Sequence, residues 1–294
     1  MAKMHAGEID TDAGLVRRLV RGRFPEWSGL PVERVASGGT VNAVYRLGSA
    51  LSVRLPLTAG GVRALDHETR WLPELAPGLP VAIPAVAGTG GPAEGFPWPW
   101  AVHRWLDGAT PAEGRAGPEL ARDLAAFVLA FREIGVPGGP PAYRSGPLAS
   151  VDAATRAAVA ELRRTDEPFD AAAILASWDE SLRAPGWAGA PRWLHSDLMP
   201  GNLLVDGAGR LSGVLDFATC GIGDPACDLI PAWNLLPADA RAAFRDAVDA
   251  DDATWLRGRG RALSMAVIQL PYYRCTNPII SANARYTIRS VLDG

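Results

Sequence analysis

Three polar residues in the second half of the sequence have a spacing that could bind a metal ion. Asp197 and Asn202 flank a Pro-Gly turn at D-x4-N spacing, so two short polar side chains can converge on one point. Two apolar segments follow, joined by an Asp-Gly hairpin turn, and the second segment ends in Asp216. Carboxylate and amide oxygens are hard ligands, which suit Mg²⁺ bound to nucleotide phosphates.

The same segment resembles the catalytic loop of a known superfamily. The pattern H-x-D-L-x-x-x-N, which begins at His195, and the Asp-Phe pair at 216–217 are similar to the catalytic and metal-binding loops of protein kinases. The run GDPACDL at 223–229 resembles the G-D-P-x-x-D-L signature of the aminoglycoside and macrolide phosphotransferases. The resemblance to that family of small-molecule kinases extends over nearly the whole chain.

The resemblance implies a role for each residue of the segment. Asp197 would orient the hydroxyl of the acceptor and accept its proton. Asn202 and Asp216 would bind Mg²⁺, because phosphoryl transfer depends mainly on positioning and on neutralising charge. His195 and Asp228 would be scaffold residues, with Asp228 bracing the backbone of the catalytic loop.

The resemblance also implies a site for ATP or GTP in the first part of the chain. A loop between the first two strands would direct backbone N–H groups at the phosphates, and the segment near residue 105 would be a hinge that reads the base. Arg54 stands where protein kinases carry a lysine, and Glu68 follows 14 residues later as its ion-pair partner. The implied nucleotide-binding residues are Ser37, Gly38, Gly39, Thr40, Asn42, Arg54, Glu68, Arg104, Trp105 and Leu106.

The sequence also departs from these patterns at several positions. Ser196 replaces the glycine usual in the antibiotic kinases, Ala218 stands where the D-F-G glycine would be, and a G-x-G-x-x-G loop is absent. Lys3 is the only lysine, which excludes a Walker A loop and a Schiff base. Arg54 keeps the positive charge and can bind phosphate bidentately. No A-P-E segment occurs, which argues against a kinase of proteins.

Composition excludes several other classes of protein. The chain has 294 residues, 48% of them hydrophobic and 21% charged, and a net charge of −3, which argues against a nucleic-acid partner. No apolar run is long enough to span a membrane, and the first ten residues lack the apolar core of a signal peptide. The three cysteines lack CxxC spacing for zinc, and we expect a cytoplasmic protein.

The elements around these motifs predict an α+β fold of the bilobal protein-kinase-like type. Short Val- and Leu-rich runs at 32–36, 43–47 and 51–55 predict three antiparallel strands, with two more near 83–88 and 100–105. Helical periodicity predicts helices at 61–75 and, among others, at 120–134, 225–235 and 283–292. We expect a nucleotide-binding lobe at 1–105 and a helical lobe at 106–294 that contains the catalytic loop and the acceptor pocket.

Some features allow more than one interpretation. The run GIGDPA at 221–226 formally fits a dinucleotide fingerprint, but its proline and the absence of a following βαβ unit argue against one. Acidic clusters at 166–170 and 249–252 could bind a polycationic aminoglycoside or could be solvated surface and helix caps. Trp233, Tyr272 and Tyr273 could belong to the core or to an acceptor pocket.

The preferred function is an ATP- or GTP-dependent O-phosphotransferase that acts on a hydroxyl of a small molecule. An antibiotic such as an aminoglycoside or a macrolide is the first acceptor class considered, for resistance or self-protection. One alternative is a metabolic kinase of a sugar, nucleoside or amino-alcohol, and another is a pseudokinase that binds nucleotide without turnover. No nucleic-acid or membrane partner is expected.

Overall fold

The computed structural model describes residues 9–35 and 42–294 of the chain. The chain divides into two compact units, one formed by Met1–Pro77 and Ala82–Asp107 and the other by Gly78–Val81 and Gly108–Gly294. The five-stranded sheet lies in the first unit, and the second unit is mostly helical. The predicted α+β class, a small antiparallel sheet followed by a helical remainder, is confirmed.

The first unit is built on an antiparallel sheet with strand order β1-β2-β3-β5-β4. Its described strands are β1 (Val32–Arg34), β2 (Asn42–Leu47), β3 (Leu51–Pro56), β4 (Val86–Gly90) and β5 (Trp100–Arg104), and its described helices are α1 (Ala13–Arg23) and α2 (Ala59–Leu75). The fourth strand begins later than predicted, at Val86, because Pro84 has no N–H to donate to a neighbouring strand.

The two faces of the sheet differ in character because side chains alternate along each strand. Leu51, Val53 and Leu55 of β3 point into an apolar core that also contains Val16 and Leu19 of α1. The intervening residues of β3 lie on the opposite face. The register pairs Ser52 with His103 and Arg54 with Ala101, so His103 shares that second face with Arg54.

Helix α2 brings a buried carboxylate to the first unit. Its N-terminus is capped by Thr58, whose hydroxyl accepts the N–H of Gly61 at 3.2 Å. Leu65, Glu68 and Leu72 follow at helical spacing and are buried. Glu68 is therefore the polar member of an otherwise apolar helix face.

The second unit contains seven described helices and two short antiparallel strand pairs. The helices are α3 (Pro118–Arg132), α4 (Asp152–Leu162), α5 (Ala171–Arg183), α6 (Pro231–Asn234), α7 (Ala238–Ala247), α8 (Asp252–Tyr273) and α9 (Pro278–Leu292). The strands are β6 (Arg192–Leu194), β7 (Leu203–Val205), β8 (Leu211–Val214) and β9 (Gly221–Gly223), paired as β6 with β9 and β7 with β8.

Two predicted helices have different bounds in the structure. The continuous helix predicted at 225–235 is a 3₁₀ turn at Pro225–Leu229 followed by the short α6, because Pro231 cannot donate an N–H and starts a new helix. Helix α9 begins five residues before the predicted start, where Asn277 caps it by accepting the N–H of Ile280 at 3.1 Å. Within the described ranges, no helix combines the length and apolar character needed to cross a bilayer.

Candidate active site

The catalytic segment of the second unit starts at a buried strand. Trp193 and Leu194 of β6 are buried and pair with β9, and the chain then turns sharply at Ser196, which has a left-handed φ of 64°. Such a φ favours glycine, the residue that the family resemblance leads one to expect at this position. The serine is held there because its hydroxyl donates to the carbonyl of Thr219 at 2.8 Å.

Asp197 follows this turn, and both oxygens of its carboxylate are contacted. The Nδ2 of Asn202 donates to the Asp197 carbonyl at 2.9 Å and to Oδ2 at 3.3 Å. The guanidinium of Arg144 donates from Nη1 to Oδ1 at 2.8 Å. Burial raises the pKa of Asp197, the charge of Arg144 opposes that rise, and the carboxylate of Asp216 adds to it.

Asp216 lies close enough to Asp197 to interact with it electrostatically. It follows β8 and has a left-handed φ of 61°, which turns the chain sharply at the end of the strand. The structure therefore brings together Asp197, Asn202 and Asp216, the three residues that the spacing predicted would converge.

His195 connects the backbone at Asp197 to the backbone at Leu215, and both of its ring nitrogens are occupied by these contacts. Its Nδ1 accepts the N–H of Asp197 at 3.3 Å, so Nε2 carries the proton and donates to the carbonyl of Leu215 at 3.0 Å. Its ring also packs edge-on against Phe217, with 4.7 Å between the centroids. These contacts make His195 a scaffold residue.

Asp228 braces the start of the catalytic segment from the following 3₁₀ turn. Its two carboxylate oxygens accept the backbone N–H groups of His195 at 2.8 Å and Ser196 at 2.7 Å. Burial raises the pKa of Asp228, whereas His195 and the two N–H bonds oppose that rise. The backbone on both sides of the sharp turn at Ser196 is thereby fixed to one side chain.

The donor set of this site fits Mg²⁺. The Nδ2 of Asn202 points to Asp197, so its Oδ1 is the amide atom left to act as a ligand, and Asp216 supplies a carboxylate. Among the described residues, no three His, Cys, Asp or Glu side chains form a preformed metal cluster. Mg²⁺ is commonly bound by one or two protein ligands together with substrate phosphates, and these residues match that pattern.

The first unit carries an ion pair at the predicted position. The guanidinium of Arg54 on β3 donates to the carboxylate of Glu68 on α2. The Glu68 side chain is 1% exposed and that of Arg54 is 16% exposed. His103 lies on the same sheet face, and burial together with the charge of Arg54 lowers its pKa to about 3. No described residue is hydrogen-bonded to either ring nitrogen of His103.

The other predicted nucleotide-binding residues also lie in the first unit. Arg104 and Trp105 donate their backbone N–H groups to the carbonyls of Ala85 and Ala50, both at 2.8 Å, whereas the N–H of Leu106 donates to no described residue. Asn42 begins β2, and its Oδ1 is buried with no partner among the described residues. The predicted loop residues Ser37, Gly38, Gly39 and Thr40 lie outside the described residues.

Comparison with protein families identifies the chain. Residues 32–263 match the model of the phosphotransferase enzyme family, a span that includes both the Arg54–Glu68 pair and the catalytic segment. The chain belongs to the phosphotransferase enzyme family. The predicted enzyme class, a phosphotransferase of this family, is confirmed. No curated protein sequence matches the chain significantly.

Several solved structures share the fold of this phosphotransferase. The GDP complex of wild-type aminoglycoside 2′-phosphotransferase-IIIa aligns with a TM-score of 0.71 at 18% identity, covering 96% of this chain and 99% of that one. The macrolide 2′-phosphotransferase MphH from Brachybacterium faecium aligns with a TM-score of 0.61 at 20% identity, covering 94% of this chain and 97% of that one. At these identities the likeness establishes the fold.

The glycines that resemble a dinucleotide fingerprint serve packing in this phosphotransferase. A Cβ at Gly221 would lie 2.3 Å from the carbonyl oxygen of Pro140, and one at Gly223 would lie 2.0 Å from Cβ of Ser145. Both glycines lie in β9, where segment 140–145 packs directly on the backbone. The nearby Cys227 is buried, and its burial raises the pKa of the thiol to about 12.

Sequence reasoning missed Arg144, which contacts the proposed base of the phosphotransferase. Arg144 lies between α3 and α4, 53 residues before Asp197, in a segment that contains no recognised motif. Its position follows from the packing of segment 140–145 on β9, which no local pattern reveals. No signal in the sequence singled out Arg144, since nearly all basic residues of this chain are arginines and the spacing of this one matches no motif.

Proposed function

We propose that this phosphotransferase moves the γ-phosphoryl group of ATP or GTP onto a hydroxyl of a small molecule, with an antibiotic of the aminoglycoside or macrolide kind as the acceptor class. The observation that carries the proposal is the held carboxylate of Asp197, contacted by Asn202 and lying close to Asp216. The similar aminoglycoside and macrolide phosphotransferases support the choice of acceptor class.

In the proposed reaction, the acceptor hydroxyl donates a hydrogen bond to Asp197 and its oxygen attacks the γ-phosphorus. The new O–P bond forms as the bond between the γ-phosphorus and the bridging oxygen breaks, and the nucleoside diphosphate leaves. The hydroxyl proton passes to the Asp197 carboxylate. Asp228 holds the backbone before Asp197 by accepting the N–H groups of His195 and Ser196, and Asn202 donates to the Asp197 carboxylate. The orientation of that carboxylate is therefore fixed before the acceptor binds.

The residues assigned to the nucleotide lie in the sheet-containing unit, and the residues assigned to Mg²⁺ lie in the catalytic segment. Arg54, oriented by Glu68, would contact phosphate oxygens. The N–H of Leu106, which donates to no described residue, would contact the edge of the base. When bound, Mg²⁺ would neutralise phosphate charge, with Asn202 and Asp216 as its protein ligands. Nucleotide complexes of similar phosphotransferases, one with GDP and one with ATP and streptomycin, support this assignment.

A transfer assay tests the proposed function. The chain is incubated with Mg²⁺, ATP or GTP and a panel of aminoglycosides, macrolides, nucleosides and sugars, and gain of one phosphoryl group is measured by mass spectrometry. Asp197→Asn should lower kcat by roughly 10²- to 10⁴-fold, because the amide cannot accept the proton. Asp246→Asn, at an exposed position on α7, is the matched control. Wild-type turnover by Asp197→Asn would contradict the assignment.

Hydrogen exchange tests the nucleotide site without an acceptor. Saturating ATP or GTP with Mg²⁺ should slow exchange at Arg104–Leu106 and at residues 37–42, because ligand contacts order the backbone. Saturable nucleotide binding with unchanged exchange in both segments would place the nucleotide elsewhere.

A further inference from the structure

Arg144 is held in a fixed position beside the catalytic segment. The N–H of Ala142 donates to the carbonyl of Ile222 at 3.0 Å, and that of Tyr143 donates to the carbonyl of Thr219 at 3.2 Å. The carbonyl of Arg144 itself accepts from the buried thiol of Cys227 at 3.0 Å. The backbone that carries this side chain is therefore anchored before any substrate binds.

The guanidinium of Arg144 has N–H groups that donate to no described residue. Nη1 donates to Oδ1 of Asp197 at 2.8 Å and to the carbonyl of Ser196 at 3.2 Å. Nη2 and Nε donate to no described residue, and the side chain is 22% exposed. A positive charge with unused donors next to the proposed base can bind an oxygen of whatever molecule brings its hydroxyl to Asp197.

A pocket with aromatic and apolar walls lies between α4 and α8, in the same unit as Arg144. The guanidinium of Arg144 lies over the ring of Tyr143 at 5.2 Å. Burial raises the pKa of Tyr273, and the charge of Arg144 opposes that rise. Tyr273 packs edge-on with Tyr272, with 4.7 Å between centroids. Both tyrosines line a pocket of about 460 Å³, together with Ala154, Ala157, Ile268 and Pro271, and with Glu161 as its one acidic residue. These walls suit an acceptor with a large apolar surface.

Five of the six carboxylates in the acidic clusters that could have bound a polycation make structural contacts. Asp166 and Glu167 pair with Arg274 and Arg285, each across a distance of 2.7 Å or less. Asp170 accepts two backbone N–H groups at the start of α5. In the second cluster, Asp251 caps α8 by accepting the N–H of Thr254 at 2.6 Å, and Asp252 pairs with Arg245. These carboxylates act as caps and ion-pair partners.

We propose that Arg144 determines the acceptor class, and this inference rests on the proposed phosphotransfer. Nη2 or Nε donates to an oxygen next to the hydroxyl that is phosphorylated. A guanidinium cannot accept a hydrogen bond, so an acceptor with several ammonium groups at that end is disfavoured. The acceptor is then a hydroxyl compound with an apolar body and at most one amine. Tyr143, Tyr272 and Tyr273 contact its apolar part.

The test compares two probes that differ in charge and apolar surface. Kanamycin carries several ammonium groups, whereas erythromycin carries one amine on a large apolar body. Equilibrium binding and kcat/KM are measured for both with the wild-type chain, Arg144→Gln, Arg144→Lys and the control Arg122→Gln, whose guanidinium is exposed on α3. The readout is the ratio of erythromycin to kanamycin affinity, because a variant that only impairs folding lowers both affinities equally.

The wild-type chain should prefer erythromycin by about 100-fold or more, since a charged group that loses its hydrogen-bond partners on binding costs about 1–3 kcal/mol or more. Arg144→Gln should reduce that ratio by at least about 10-fold, whereas Arg144→Lys and Arg122→Gln should keep it. Equal affinity of the wild-type chain for both probes, an unchanged ratio in Arg144→Gln, or binding of neither probe would overturn the inference. Erythromycin binding without phosphoryl transfer would instead overturn the proposed function.

Discussion

The guanidinium of Arg54 on β3 is paired with the carboxylate of Glu68 on α2, within the sheet-containing unit. The alternation of β3 places Val53 and Leu55 in the apolar core, so Arg54 necessarily points to the opposite face. Glu68 is almost fully buried, and a buried carboxylate of this kind requires a positive partner. The pair thus fixes the direction of the one basic side chain that we assign to the nucleotide phosphates.

Removing the guanidinium of Arg54 should mainly reduce transition-state stabilisation. We expect Arg54→Ala to lower kcat by roughly 10²-fold, on the order of 2.7 kcal/mol. Arg54→Lys should have a smaller effect, because lysine keeps the positive charge. It should still lower kcat, because a point charge replaces a bidentate fork. Steady-state kinetics checks both variants, with Arg63→Ala on the exposed side of α2 as the control. Full kcat/KM in Arg54→Ala would leave Arg54 as a purely structural partner of Glu68.

The sequence predicted best those parts of the site that are close along the chain. Asp197, Asn202 and Asp216 fall within twenty residues and are joined by one hairpin, so spacing alone predicted their convergence. The Arg54–Glu68 pair was predicted from the resemblance to protein kinases, and strand alternation gives the direction of Arg54. Spacing and strand alternation are local rules, which a single sequence can supply.

Arg144 shows why the remainder could not be predicted. Its contact with Asp197 depends on segment 140–145 lying against β9, and that packing depends on the absence of side chains at Gly221 and Gly223. The same two glycines formally fit a dinucleotide-binding motif, and that motif gives no indication of their role in packing. Tertiary packing between segments distant in sequence decides such positions, and one sequence without homologues does not reveal it.

Asp216 can be tested with a substitution that preserves its unusual backbone. Asparagine tolerates the left-handed φ of 61°, whereas alanine would add backbone strain, so Asp216→Asn isolates the loss of charge. We expect phosphoryl transfer to fall at least about 10²-fold and the Mg²⁺ concentration for half-maximal nucleotide binding to rise. Fluorescent-nucleotide titrations with varied Mg²⁺ measure this, and circular dichroism checks the fold.

Asp239→Asn, at an exposed position in the first turn of α7, is the matched control for that experiment. An Asp216→Asn protein with near wild-type turnover and an unchanged Mg²⁺ requirement would disprove the assignment of Asp216 as a metal ligand.

Asp228 offers a test of stability separate from chemistry. Asparagine keeps the shape of the side chain, but only its one oxygen can accept, so either the N–H of His195 or that of Ser196 loses its buried partner. We expect Asp228→Asn to lower the free energy of unfolding by about 2 kcal/mol. Urea denaturation followed by circular dichroism measures the change. A midpoint and slope equal to those of the wild-type chain would show that the brace contributes nothing to stability.

His103 should make the stability of the protein depend on pH in a defined window. Burial and the charge of Arg54 lower the folded-state pKa to about 3, from an ordinary value of 6.5. As pH falls below 6.5 the unfolded chain binds a proton that the folded chain does not, so the unfolded state is favoured. The contribution of the neutral imidazole is complete above pH 6.5 and is lost as pH falls toward 3, at up to about 1.4 kcal/mol per pH unit.

His103→Leu removes this titration and also the two buried ring nitrogens that have no described hydrogen-bond partner. We expect the variant to be at least as stable as the wild-type chain at pH 7, because an unsatisfied buried polar group is replaced by an apolar one of similar size. Its advantage should grow at pH 4, because only the wild-type chain loses the contribution of a neutral imidazole. Urea denaturation from pH 4 to pH 8 measures the difference between the two proteins, in which the titration of all other groups cancels. Parallel stability curves for the two proteins would show that His103 keeps an ordinary pKa in the fold.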